Sequence, residues 1–256
     1  MIIITLINEH HLPTSFNFVV AQSNNTMSTK CENCVIRQYN ALRVLNTEDL
    51  VEINATKELQ TISKGEIIFK EGQRLSGIYC VRNGATKLSK ITASGRDQIV
   101  KIASKGEILG QRSIVCDENA NLSATALNDM EVCFIPKSAI KNRIAHNPLF
   151  VKELLVNMAT ELKNADDMIV NLSEKTVKQR LAQSLLYLKK QFGEDPATGD
   201  LTLVLSREDL AAAIGTATES CIRLLSDFKK KGYITTQGKN IKIIQLDALE
   251  ELTKDF

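Results

Sequence analysis

Between residues 64 and 136 the chain alternates short apolar runs with glycines, the pattern of many brief strands joined by turns. Glu66–Phe69, Gly77–Val81, Thr86–Ser89, Ile99–Ile102, Leu122–Leu127 and Val132–Ile135 are the predicted strands, with Gly65, Gly72, Gly77, Gly84, Gly95, Gly106 and Gly110 between them. Such a series closing on itself predicts a β-roll or jelly-roll. Upstream, Leu50 and Ile53 suggest a helix over 46–58. Downstream, the spacing changes to that of helices. Val151, Leu155, Met158, Leu162, Ala165, Ile169 and Leu172 recur in steps of four and three, an a/d seam that predicts a parallel dimer through a helix over 149–172. Phe150, Leu154 and Met168 widen the stripe, so the helix is also expected to pack on the β-roll. A further helix over 177–192, a surface loop over 193–200 and a strand over 201–205 lead into the last region.

That region, Ser206 to Gly232, reads as two short helices at a tight turn. Ser206 and Asp209 have the spacing of a capping box, and Leu210, Ala211 and Ile214 make one apolar face. Gly215 supplies the left-handed turn residue. Thr216 is the expected cap of the second helix, in which Cys221, Leu224, Leu225 and Phe228 point inward. Thr218, Glu219, Ser220, Ile222 and Arg223 are left near its start, the place from which such a helix reads a DNA major groove. Tyr233–Thr236 and Ile241–Ile244, joined by a Gln-Gly-Lys-Asn turn, complete a winged helix-turn-helix.

Net charge is only +2, so DNA affinity must come from a local face. Ser206 to Lys242 holds seven Lys/Arg against four Asp/Glu, a modest excess that suits a dimer on specific sites. Six cysteines without a secretory signal point to a reducing, cytoplasmic setting with thiols or metal ligands rather than disulfides. The opening run Met1 to Ile7 is too short to span a membrane, so no membrane association is expected. Residues 1–26 are expected to be a disordered tail or a misannotated start, with translation beginning at Met27. His10, His11 and His146 are scattered and no phosphate loop or nucleophile elbow is present, so no enzyme activity is expected.

The run T-E-S-C-I-R, Thr218 to Arg223, resembles the x-E-x-x-x-R recognition signature of the Crp/Fnr family of bacterial transcription regulators. KGEIIFKEGQ (64–73) and KGEILG (105–110) are similar to that family's cyclic-nucleotide-binding fold, and the likeness extends back to about Cys31. The resemblance implies an α+β chain: a sensor domain over 27–147, a dimerisation helix over 148–172 and a Crp-type DNA-binding domain over 173–250. It implies a homodimer on a palindromic double-stranded DNA site, contact with RNA polymerase, and control by a small-molecule, redox or metal signal. The alternative is a cyclic-nucleotide-binding subunit acting on a partner protein without DNA. DNA contacts are expected from Ser206, Thr218, Glu219, Ser220, Ile222, Arg223 and Lys239.

The implied effector pocket comprises Glu107, Leu109, Gly110, Arg112, Leu122 and Ser123. Glu107 fits the ribose-binding role, but Leu122 stands where cyclic-AMP-binding relatives carry the phosphate-binding arginine, so cyclic AMP is not expected as the effector. Arg112 could reach in from the neighbouring loop. Cys31 and Cys34, with Cys133, resemble the oxygen-sensing Fnr branch, where four thiolates hold a 4Fe–4S cluster. The third N-terminal cysteine of that branch corresponds here to Asn40. Cys116 is a candidate replacement, and zinc is the other metal such a set could hold.

Overall fold

The computed structural model describes residues 30–93 and 95–254, so the expectations for 1–26 and for a start at Met27 lie outside the described residues. The described chain begins with three short 3-10 turns, Cys31–Asn33, Val35–Tyr39 and Ala41–Val44. Helix α1 (Thr47–Thr56) follows, capped by Asn46, whose Oδ1 accepts from the Asp49 N–H at 2.8 Å. Strand β1 (Glu58–Ile62) begins where the helical reading was to end. It is an edge strand whose side chains are mostly exposed, so it is held by pairing with its neighbour and shows little alternation.

The glycine-punctuated region then forms β2 (Ile67–Phe69), β3 (Gly77–Asn83), β4 (Ala85–Ile91), β5 (Asp97–Ser104), β6 (Ile108–Leu109), helix α2 (Gln111–Cys116), β7 (Ser123–Ala126) and β8 (Met130–Pro136). Two antiparallel sheets result, ordered β1-β8-β3-β6 and β2-β7-β4-β5. Ile78, Val81, Val132 and Ile135 of the first share a core with Phe69, Ala103, Ala124 and Ala126 of the second. This is the expected β-roll. Cys80 and Cys133 are direct cross-strand neighbours on β3 and β8, packed beneath Ile36 and Cys34 of the N-terminal turns.

Helix α3 (Lys137–His146) closes the roll, its buried Arg143 ion-paired with Asp49 and Glu52 of α1. Helix α4 (Pro148–Glu174) starts at Asn147, whose Oδ1 accepts from the Phe150 N–H at 3.0 Å, with a proline in the first turn. Its two stripes separate cleanly. Phe150, Leu154, Asn164 and Met168 are buried, while Leu155, Leu162 and Ile169, seven residues apart, are 61%, 64% and 65% exposed. An exposed heptad stripe of this kind has the pattern of a coiled-coil seam. Among the described residues no helix is long and apolar enough to cross a membrane.

Helix α5 (Val177–Phe192) opens with a capping box between Thr176 and Gln179. Helices α6 (Arg207–Ile214) and α7 (Thr218–Lys230), strands β9 (Ile234–Gln237) and β10 (Asn240–Ile243) and helix α8 (Leu246–Glu251) complete the chain. Leu185, Leu210, Ile214, Cys221, Leu225, Phe228, Ile234 and Ile241 are buried in one core. The strand expected over 201–205 does not form a ladder: only Leu201 makes a bridge, to Glu194. Leu201, Leu203 and Leu205 are nevertheless all buried, while Thr202 is exposed and Val204 half-buried.

Arg180 joins the helices around this core. Its Nε donates to the Ile214 carbonyl at 2.8 Å, and one Nη donates to those of Lys175 (2.6 Å) and Leu172 (3.3 Å). The buried guanidinium thereby satisfies carbonyls at the ends of both α4 and α6, where helix dipoles favour a cation. The two domains also touch directly. Lys87 on β4 bridges Asp97 and Asp209, and Gln98 donates to the Ala212 carbonyl at 2.8 Å.

Candidate functional site

Ser206 caps α6 by accepting from the Asp209 N–H at 2.9 Å, and its hydroxyl donates to Asp209 Oδ2 at 2.9 Å. Gly215 then adopts φ +65°, and an added Cβ would come within 3.2 Å of Leu172. The left-handed conformation therefore favours glycine, and a Cβ would also require the Leu172 side chain to give by a few tenths of an ångström. The expected cap at Thr216 is displaced by one residue: Ala217 holds the N-cap position of α7 and makes no side-chain cap bond. Cys221, Leu225 and Phe228 turn inward. Glu219, Ile222 and Arg223 are exposed, and Thr218 and Ser220 are half-buried beside them. Residues 219 and 223 are one helical turn apart and share that face. Arg207 donates to the carbonyls of Gly238 (2.8 Å) and Lys239 (3.3 Å), holding the wing turn against α6 with Lys239 outward. Lys229 and Lys230 crowd the end of α7. Ser206 serves mainly as a cap; of the other expected contacts, Glu219, Ile222, Arg223 and Lys239 are exposed.

In the sensor domain, Leu109, Gly110, Arg112 and Leu122 line one cavity with Gln111, Asn121 and Glu161. Glu107 is not among them. Its carboxylate pairs with Lys101 at 2.6 Å and accepts from the Ser104 N–H at 2.6 Å, facing the neighbouring cavity beneath α4. Burial alone would lower the pKa of Lys101, but Glu107 and Glu161 hold it above the ordinary lysine value. Ser123 accepts from the Glu71 N–H at 3.0 Å, and Arg112 pairs with Glu118 at 2.7 Å. Gln111, which the sequence reading passed over, lines both cavities and has a buried Oε1 without a hydrogen-bond partner. It directly follows the Gly-Glu-Ile-Leu-Gly run, so its position was visible although its orientation was not.

The third cavity is lined by Cys31, Cys34, Cys80 and Cys133, together with Arg37, Lys57 and Arg82. Lys57 Nζ donates to Cys31 Sγ at 3.2 Å. Burial, reinforced by the neighbouring thiol groups, pushes the Cys80 thiol up to about 12, and burial also raises Cys133, against the pull of Lys57 and Arg82. Without a metal these two thiols stay protonated at neutral pH. Cys116, the expected replacement ligand, is exposed at the end of α2 and does not line this cavity. Cys80 does. Sequence spacing gave no sign of it, because its approach to Cys133 depends on the β3–β8 register.

Comparison with known proteins decides the family. The Cyclic nucleotide-binding domain profile matches residues 59–147, and the Crp-like helix-turn-helix domain profile matches 179–252. The Anaerobic regulatory protein of Haemophilus influenzae is 31% identical over 245 residues, covering 93% of this chain and 95% of the relative. The chain belongs to the Crp/Fnr family. The Fumarate and nitrate reduction regulatory protein of Escherichia coli is 30% identical over 224 residues, 87% of this chain and 89% of its own. Among solved structures, FixK2 from Bradyrhizobium japonicum superposes with a TM-score of 0.69 at 25% identity, covering 78% of this chain and 99% of that one. A CRP/FNR-family transcriptional regulator from Thermus thermophilus (TM-score 0.67, 22% identity, covering 77% and 99%) shares the fold.

As a Crp/Fnr regulator, the chain is a DNA-binding transcription regulator with a cyclic-nucleotide-binding-like sensor domain. The comparisons lend nothing to the alternative of a subunit acting without DNA. The family's x-E-x-x-x-R residues fall on the exposed face of α7. Cys34 packs with Ile36 against Cys80 and Cys133 of the first sheet, and the Cys31 N–H donates to Asn54 of α1 at 3.1 Å.

Proposed function

We propose that this Crp/Fnr regulator binds a two-fold symmetric DNA site as a homodimer through α4, with α7 in the major groove, and that chemistry at the thiol cavity controls its DNA affinity. One observation carries the control: the turns bearing Cys31 and Cys34 run directly into groups that touch α4. Arg43 pairs with Glu153 of α4 at 2.7 Å. Tyr39 and Asn40 share a cavity wall with Asn157, Thr160 and Asn164 of the same helix. Gly106, at φ +94°, leaves an added Cβ only 2.6 Å from Tyr39 Cβ, so these turns sit tightly on the roll. A change at the thiols is therefore relayed to the helix whose opposite face is the dimer seam.

The residues around the thiol cavity fit an iron–sulfur cluster: four cysteines, with cationic Arg37, Lys57 and Arg82 to offset thiolate charge. When bound, such a cluster would supply redox sensitivity. The protein's part is to hold thiolates in a partly dry, cation-lined site and to transmit their displacement to α4. As a transcription regulator, the protein is expected to contact RNA polymerase. Protein purified without oxygen and the same protein after exposure to air are expected to differ in DNA affinity by about 5- to 150-fold, the usual range of coupling between linked sites. Equal affinities in both states, measured by mobility shift, would remove the sensor role.

Cyclic AMP does not suit the other cavity. Leu122 offers a phosphate no hydrogen bond, Arg112 is paired with Glu118, and Glu161 adds negative charge. Each missing charge-assisted bond costs roughly 1.5–3 kcal/mol. Calorimetric titration is expected to show no binding at micromolar cyclic AMP; a micromolar or tighter isotherm would contradict this.

A further inference from the structure

We propose that Cys80 on β3 is the fourth ligand of an iron–sulfur cluster held with Cys31, Cys34 and Cys133, standing in for the thiolate lost at Asn40. This rests on the reading of the thiol cavity as a cluster site and names a ligand that the family's sequence pattern does not supply. Three observations carry it. Cys80 and Cys133 are opposite each other in the β3–β8 register and pack in one cluster with Cys34 and Ile36. All four cysteines line a single cavity. Asn40, at the position that the missing ligand would occupy, donates its Nδ2 to Cys80 Sγ at 3.4 Å and to the Gly106 carbonyl at 2.9 Å. The vacated position and the additional thiol are therefore in direct contact.

Four thiols around one cavity suit a centre that takes one thiolate per metal atom. As the thiols stand, no group of three or more His, Cys, Asp or Glu among the described residues could hold a metal ion. A zinc ion requires its thiolates at about 2.3 Å from a single point. A four-iron cluster gives each thiolate its own iron, so the ligands surround the centre at separate corners. Cys80 and Cys133 are fixed by the sheet, whereas Cys31 and Cys34 lie at short 3-10 turns outside it. Charge points the same way. Lys57 already donates to Cys31 Sγ, and Arg37 Nε, also at this cavity, is buried without an acceptor. On ligation each thiol exchanges its S–H proton, released to solvent, for an S–Fe bond. The iron and sulfide come from outside the protein.

The test is anaerobic reconstitution of the full chain with sulfide and equal parts of ferrous and ferric iron, followed by iron and acid-labile sulfide analysis and visible absorption of the folded fraction. Wild type and Cys116→Ser are each expected to hold about four iron atoms and four sulfides per chain. Cys80→Ser is expected to lose at least half of both, together with the visible band. Full loading of Cys80→Ser would overturn the assignment while leaving the cluster reading in place. Wild type that takes up no iron, or takes up zinc alone, would overturn both. If Cys80→Ser does not fold, iron-edge X-ray absorption of the wild type decides. Coordination by sulfur alone supports four thiolates, and an oxygen or nitrogen ligand rejects them.

Discussion

Replacing Leu162 with glutamate is expected to convert the protein to a monomer and to weaken binding to its DNA site by roughly a hundredfold or more, the scale of avidity lost when two linked binding modules are separated. Leu162 lies at the middle of the seam and is 64% exposed in the single chain, so nothing in its own domain needs it. In a parallel pair it would meet its symmetry mate and pack beside Met158 and Ala165, the seam positions before and after it. Burying a leucine is worth about 1.5–3 kcal/mol, counted twice by symmetry. A carboxylate there forfeits this and adds like-charge repulsion in a desolvated seam. Asp166, exposed on the same helix but off the seam, provides the control: Asp166→Asn should remain dimeric. Light scattering with DNA titration reads both effects. A Leu162→Glu protein that stays dimeric would place the dimer contact elsewhere.

Arg223→Ala is expected to cost roughly 1–3 kcal/mol per half-site. A symmetric dimer makes the contact twice, so the loss totals roughly thirtyfold to ten-thousandfold. Arginine donates two parallel hydrogen bonds to the guanine edge, and alanine cannot replace them. Glu219, on the same face, can accept from a cytosine amino group, and exposed Ile222 suits a thymine methyl. The loss should be confined to one base position in each half-site. A loss uniform across sequences, with a shallower salt dependence, would make Arg223 a phosphate contact. Lys229, Lys230 and Lys239, exposed around α7 and the wing, are the groups expected to set the salt dependence.

Periodicity made most of this legible. Helix α5 lies where the apolar spacing put it, and α4 separates into the two stripes that its widened seam suggested, because a helix's burial pattern is a direct projection of its sequence. The residues proposed to face DNA were visible for the same reason: they are what remains of α7 once Cys221, Leu225 and Phe228 are buried. What was illegible depends on strand pairing and side-chain direction. β1 is an edge strand with few buried side chains and no alternation to read. Leu201–Leu205 alternates like a strand but lacks a ladder. Glu107 turns from the Leu122 cavity because Lys101 and the Ser104 amide capture it, and the Ser104 N–H lies at the end of β5, where spacing does not show which way it points. The cysteine set shows the limit most clearly. Cys31 and Cys34 announce themselves by their C-x-x-C spacing. Cys80 joins them only through the register that sets it opposite Cys133, while Cys116, nearer in sequence to the loop that suggested it, ends on the outside of α2.

Selection from random double-stranded DNA with the oxygen-free protein tests the central claim most directly. The expected product is an inverted repeat whose half-site centres lie about one helical turn apart, with a guanine in each half-site that ceases to be selected by Arg223→Ala. Enrichment of a single unrepeated element, or of no sequence at all, would contradict recognition of a two-fold site by paired α7 helices.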